Sequence, residues 1–477
     1  MPRSIKAAPD FVAPVLSRRT LLTASAAGLA LPAEILTGAG ALAQSGKAPL
    51  PDFNVASASF SVAERDRRWA AVRAVMARPQ WNLDAIITAI SDESGNYARY
   101  LTQVGGRPGS EGAAEAIFPR DPAQSVYVQL GQARNRDVWK ARDKDWIADG
   151  KLIITEEAGP QALAKQMEAR GLNRPGARIG VARLGGSRFN ESGSVSSVYL
   201  DKLRAALPGV AFLPIDNWGV DSGPVEEAAM IKSAEEQAVV RRAVAASEHG
   251  LAALVAAAQA GAKQQADLWF ATYTAMFAHT GEDPSRVSIS LDQPGNSTLG
   301  EPTADPVRVG QIVTEELDGT VQGYRAQVNH SIFIGGPSTP GYDYYRACIE
   351  IAAMLIKEAP SWVTPGKTTC GDFAKRYTAR VEELGAEDSS GVMLHSSGIG
   401  SLTRPRLGPK NGVKDHEIVI RPGMTFDFKP ALHLNRAKLA DVGAKNRDVQ
   451  LGEHFLVMEQ GMVRLGSRAL APLTTQG

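Results

Sequence analysis

Met230-Ile231-Lys232-Ser233-Ala234-Glu235-Glu236, running on to Val240-Arg241-Arg242-Ala243, marks the point at which the composition of this chain changes. Ser233 offers a side-chain oxygen to the first free N–H groups of a helix. Glu235 and Glu236 add negative charge in the first turn, where the aligned peptide dipoles favour it. From Glu226 to Ala260 the sequence is rich in Ala, Glu and Arg and has no proline. It predicts one long helix over 226–260, closed by Gly261.

Upstream, short apolar runs alternate with helical periodicity. Trp69, Val72, Val75 and Met76 share one face of a helix over 65–77, and 161–170 forms a second helix. Strand candidates are 83–87, 125–128 and 178–182. This alternation predicts an α/β N-terminal domain over residues 62–222. Downstream, helices over 342–358 and 371–384 accompany β-type segments at 311–317, 324–334, 423–432 and 451–459. They predict an α+β domain over 223–477, with long helices on a mostly antiparallel sheet. All seven histidines (249, 279, 330, 395, 416, 433 and 454) lie in this half, where proton chemistry near neutral pH is expected.

The chain has 477 residues, 52 Lys and Arg against 51 Asp and Glu, and is 44% hydrophobic. That balance excludes a polybasic nucleic-acid binder and wholesale disorder. Two cysteines exclude a disulfide scaffold; Cys348 and Cys370 read as buried free thiols. Residues 1–43 read as a twin-arginine export signal: Ser17-Arg18-Arg19-Thr20-Leu21-Leu22, a weakly apolar run, then Ala41-Leu42-Ala43 as the cleavage site. Pro32 and Glu34 make that run a poor membrane span, so no stable membrane insertion is expected. Removing the segment takes four basic and two acidic residues and moves the net charge from +1 to −1. A linker over 44–61 follows, and the expected location is the periplasm.

No H-E-x-x-H, G-x-S-x-G, Walker A or G-x-G-x-x-G signature is present. The stretch at 230–243 resembles the "IKS-x-EE…R-x-A" helix of the creatinase/prolidase/methionine aminopeptidase family. Gly310-Gln311-Ile312-Val313 to Gly323-Tyr324, Gly398-Ile399-Gly400, Gly423-Met424-Thr425-Phe426 and Leu456-Val457-Met458-Glu459-Gln460-Gly461 follow in that family's order. Asn96-Tyr97-Ala98-Arg99-Tyr100-Leu101-Thr102 is similar to its N-terminal "NxRYLTG". The resemblance spans residues 62–465. It implies a creatinase-like N-terminal α/β domain, a "pita-bread" catalytic domain of the M24 type, and a homodimer.

Metallopeptidases of this family hold two metal ions with two Asp, one His and two Glu. Carried over in order, those positions are Glu316, Gln327, Ser397, Lys429 and Gly452, with Glu453 beside the last. One carboxylate among five cannot hold a divalent pair, and a Lys ammonium repels it. The sequence therefore implies a metal-free member with no cofactor, closer to creatinase than to the metallopeptidases. Creatinase uses a His base five residues after the Asn of a "GxN" turn. Here Gly295-Asn296 puts Glu301 at that position, and the family's second histidine falls on Arg404. Creatine itself is thus not supported as the substrate.

The expected catalytic residues are Glu316, Lys429, Glu301 and His330; the expected substrate-binding residues are Gln327, Asn329, Ser397, Arg404 and Glu453. The period of two along 324–334 puts Gln327 and Asn329 on one face and His330 on the other. Lys429 would replace the charge of the lost cations while Glu316 or Glu301 moves a proton. The expectation is a metal-independent hydrolase of a C–N bond in a small anionic molecule. A lyase acting by proton abstraction and a non-catalytic ligand-binding relic stand as alternatives.

Overall fold

The computed structural model describes residues 60–89, 95–104, 114–130, 140, 144–185, 193–216, 223–292, 300–389, 393–399, 404–408, 414–434 and 448–476. The expected export signal over residues 1–43, the turn at Gly295-Asn296 and Gly400 lie outside them. So does residues 44–59 of the linker.

The N-terminal part is a six-stranded sheet of β1 (Ala85–Thr88), β2 (Glu115–Pro119), β3 (Val126–Gln129), β4 (Leu152–Thr155), β5 (Arg178–Val181) and β6 (Ala211–Pro214), in the order β4-β3-β2-β1-β5-β6. The β1–β5, β5–β6 and β3–β4 pairs are parallel, as crossover helices require, while β1–β2 and β2–β3 are antiparallel. The helix Val62–Met76 packs on it with Trp69, Val72, Val75 and Met76 buried, as its periodicity predicts.

The second half is built on one large sheet. Its central strands are β7 (Arg286–Leu291), β8 (Ile312–Val321), β9 (Tyr324–His330), β10 (Leu394–Ser396), β11 (Thr425–Phe428) and β12 (Val449–Met458). They lie in the order β10-β11-β12-β9-β8, with β7 also on β8, and every one of these pairs is antiparallel. Helices Tyr342–Glu358 and Cys370–Glu383 form close to their predicted limits, and both cysteines are buried free thiols.

The predicted 226–260 helix is in fact two, Pro224–Met230 and Ala234–Gln259. Ser233 explains the break. Its hydroxyl accepts from Glu236 N and its own N–H donates to the Glu236 carboxylate, a reciprocal cap that requires an extended backbone at Ser233. The second helix sits hard on the β8–β9 hairpin because its facing residues are small. A Cβ on Gly319 would lie 2.4 Å from Ala243 O, and Ser247 Oγ accepts from Gly319 N and donates to Ala326 O. This contact fixes the hairpin that carries Glu316 and Gln327. Among the described residues, no helix is long and apolar enough to cross a membrane.

Candidate active site

The face of the sheet turned away from that helix carries a buried polar cluster. Lys429, just after β11, places Nζ 2.8 Å from Glu316 Oε1 and 3.2 Å from Gln327 Oε1. Arg286 of β7 forms a second ion pair with Glu316. Burial by itself raises a carboxyl pKa, but here Lys429 and Arg286 together hold Glu316 well below the usual carboxylate range. Glu316 is therefore a fixed anion that anchors Lys429.

His395 of β10 and Asp427 of β11 adjoin this pair and are opposite one another in register. His395 Nε2 lies 3.1 Å from Asp427 Oδ2 and 2.9 Å from Gln327 Oε1, and Nδ1 lies 3.0 Å from the Ser396 carbonyl. Both ring nitrogens thus face a carbonyl oxygen, and Gln327 Oε1 also accepts from Lys429. Asp427 lies within ion-pair distance of Nε2, yet neither of its carboxyl oxygens has a hydrogen-bond partner among the described residues. Burial, opposed by Lys429 and reinforced by Glu316, pushes Asp427 up to about 7. Burial, with Lys429, Arg406 and Arg325, drives His395 well below its ordinary value. Directly opposite Asp427 on the adjacent strand β12 is His454; burial, His395, Lys232 and Arg325 push it down to about 3.

Glu316, Gln327 and Lys429 are thus brought together. Ser397 is buried nearby in sequence to His395, with no partner for its hydroxyl among the described residues. Asn329 is buried and donates to Glu315 O and Gln450 Oε1, while its side chain fills the space beside Gly452. The other expected residues lie elsewhere. The Glu301 side chain is exposed and shares no hydrogen bond or ion pair with Lys429. Arg404 is paired with Asp415. His330 faces the opposite side, as its alternation predicts: Nε2 meets Ala471 O and Nδ1 accepts from Arg468. Burial and the Arg468 charge push it down to about 3, so it is a neutral ring that ties down the C-terminal segment. Glu453 shares that face, paired with Arg464 and Arg468.

Sequence reasoning passed over Asp427, His395 and His454. Each lies two residues from a carried-over position (Lys429, Ser397 and Gly452), and a period of two puts each on that position's face. Alternation, applied to 324–334, was available for these three strands as well.

Residues 238–465 match the sequence model of metallopeptidase family M24. The chain carries an M24 domain. Solved structures similar to it include the X-Pro aminopeptidase of Thermotoga maritima MSB8, at 15% identity and TM-score 0.62, covering 82% of this chain and 98% of that one. Dipeptidase PepE of Mycobacterium ulcerans matches at 18% identity and TM-score 0.62, covering 87% and 99%. The N-terminal domain of the FACT complex subunit SPT16 from Cicer arietinum matches at 12% and 0.60, covering 88% and 98%. The fold is therefore the pita-bread architecture of M24 hydrolases preceded by an α/β domain.

The residues at the M24 metal positions do not fit a divalent pair. Their one carboxylate, Glu316, is already neutralised by Lys429 and Arg286, and the Lys429 ammonium stands where a ligand carboxylate would be needed. Among the described residues, no group of three or more His, Cys, Asp and Glu side chains is arranged to hold a metal ion.

Proposed function

We propose that this chain is an exported, metal-independent enzyme that cleaves a C–N bond in a small anionic molecule by general acid–base catalysis. Its subunits pair as a homodimer. The observation that carries the reading is Lys429. Its ammonium has three N–H bonds, and two are directed at Glu316 and Gln327. Among the described residues the third meets no acceptor; it is the one for a substrate oxygen, where a fixed positive charge in a buried site stabilises developing negative charge. Glu316, held ionised, does not move the proton. Asp427, pushed up to about 7, exchanges one near neutral pH. In hydrolysis the water oxygen bonds to carbon, Asp427 takes the water proton, the C–N bond breaks, and Asp427 returns the proton to the leaving nitrogen. The same raised carboxyl supports a second reading, a lyase in which Asp427 removes a proton from carbon.

The test is metal analysis of purified protein beside turnover of small amides and carboxylic acids. The expected result is no stoichiometric transition metal, activity indifferent to chelators, and loss of turnover in Lys429→Met. A stoichiometric metal pair with chelator-sensitive activity overturns the reading. Product analysis, an amine with an acid against an alkene, separates hydrolase from lyase.

A further inference from the structure

We infer that the site takes a small molecule with two polar heads, an anionic oxygen at Lys429 and an uncharged amide or hydroxyl at the neighbouring pair Asp427 and His454. The first head rests on the reading of Lys429 proposed above; the second stands on separate observations.

Three strands in register put His395, Asp427 and His454 side by side on one face. His454 and Asp427 are both fully buried. Neither ring nitrogen of His454 and neither carboxyl oxygen of Asp427 has a hydrogen-bond partner among the described residues. A buried polar group left without a partner costs about 1–3 kcal/mol. Two such side chains facing one another across adjacent strands form a place built to be completed by a hydrogen-bonding group.

The chemistry of the pair selects that group. A neutral imidazole supplies one donor and one acceptor, and a carboxyl near its midpoint supplies either. An amide or hydroxyl, donor and acceptor at once, matches both. A cation would meet Lys232, Arg325 and Lys429, the charges that already press on these rings. A second anion would meet Asp427. Asp427 and Lys429 are two residues apart on one face, so the two heads are separated by about 7 Å. That is the span of a short dicarboxylic acid with one end converted to an amide.

The experiment uses the full chain labelled with 15N-histidine and three probes: acetate, acetamide and succinamate. Acetamide is expected to move the ring-nitrogen resonances of His454 where acetate does not. Succinamate, carrying both heads, is expected to bind at least about tenfold more tightly than either. His454→Phe should abolish the acetamide response and the tenfold gain, and the isosteric Asp427→Asn should weaken acetamide binding with the fold intact. Acetamide that leaves His454 unmoved, or that binds equally well to both variants, overturns the inference. Acetate that binds Lys429→Met as well as wild type overturns the Lys429 reading, and the anionic head with it.

Discussion

Lys429→Met keeps the length of the side chain and removes its charge. In the native site Lys429 is 5% exposed and Glu316 3%, with nitrogen and oxygen 2.8 Å apart. Removing one partner of a buried ion pair costs about 3–5 kcal/mol, because the surviving charge stays desolvated. Arg286 still pairs with Glu316 and is 44% exposed at its side chain, so part of that charge remains compensated. The expected loss is therefore about 3 kcal/mol, at the lower end of the range. Lys429→Met combined with Glu316→Gln removes both charges and should recover most of it, giving a coupling of about 2–3 kcal/mol. Urea unfolding of the four proteins of the cycle measures this at neutral pH. The pH dependence has a definite sign. The lowered Glu316 pKa contributes stability that is fully present above the ordinary carboxylate value and is lost as pH falls toward the folded value. In Lys429→Met the folded value lies closer to the ordinary one, so less stability should be lost over the acid limb. A single variant within about 1 kcal/mol of wild type, with an unchanged acid limb, would refute the assignment of this pair as the anchor of the site.

Asp427 has the opposite sign. Its folded pKa is raised to about 7, so its contribution is complete below the unfolded value and is lost as pH rises toward 7. Asp427→Asn should make the decline of melting temperature over that window shallower, though not flat, because Glu315, raised to about 8 by burial, declines in the same sense; an unchanged slope counts against the raised carboxyl. Gly319→Ala should destabilise by about 1–3 kcal/mol, since its Cβ would meet Ala243 O at 2.4 Å and Ser247 N at 2.9 Å; a neutral result in chemical denaturation would show that helix and hairpin are not in close contact. Arg18→Lys with Arg19→Lys should leave the protein in the cytoplasm on fractionation, and unchanged export would defeat the twin-arginine reading.

Elements with a simple local pattern were legible in the sequence. The helix at Tyr342–Glu358 shows an apolar stripe, β9 alternates apolar and polar residues from Tyr324 to Asn329, and β12 ends in the apolar run Phe455–Met458. The helix at Gln265–Thr280 was not legible. Its buried residues are Gln265, Leu268, Thr272, Met276 and Thr280, three of the five polar, while Phe270 and Phe277 point outward. The capping box at Ser233 was recognised as a helix start, yet the turn before it was read through. Alanine-rich composition on both sides concealed a backbone break that only the reciprocal cap enforces.

The sequence by itself placed Lys429 where the family resemblance implies a ligand carboxylate, put Gln327 and Asn329 on one strand face, and turned His330 the other way. These follow from alternation within a strand and from the order of motifs along the chain. Only the tertiary structure decided that His395, Asp427 and His454 stand in one row beside Lys429, and that Glu301 and Arg404 do not join them. The reason is physical. Alternation assigns a residue to a face from its neighbours alone. Which residues then lie opposite one another depends on the pairing register of β10, β11 and β12, set by hydrogen bonds between segments far apart in the chain.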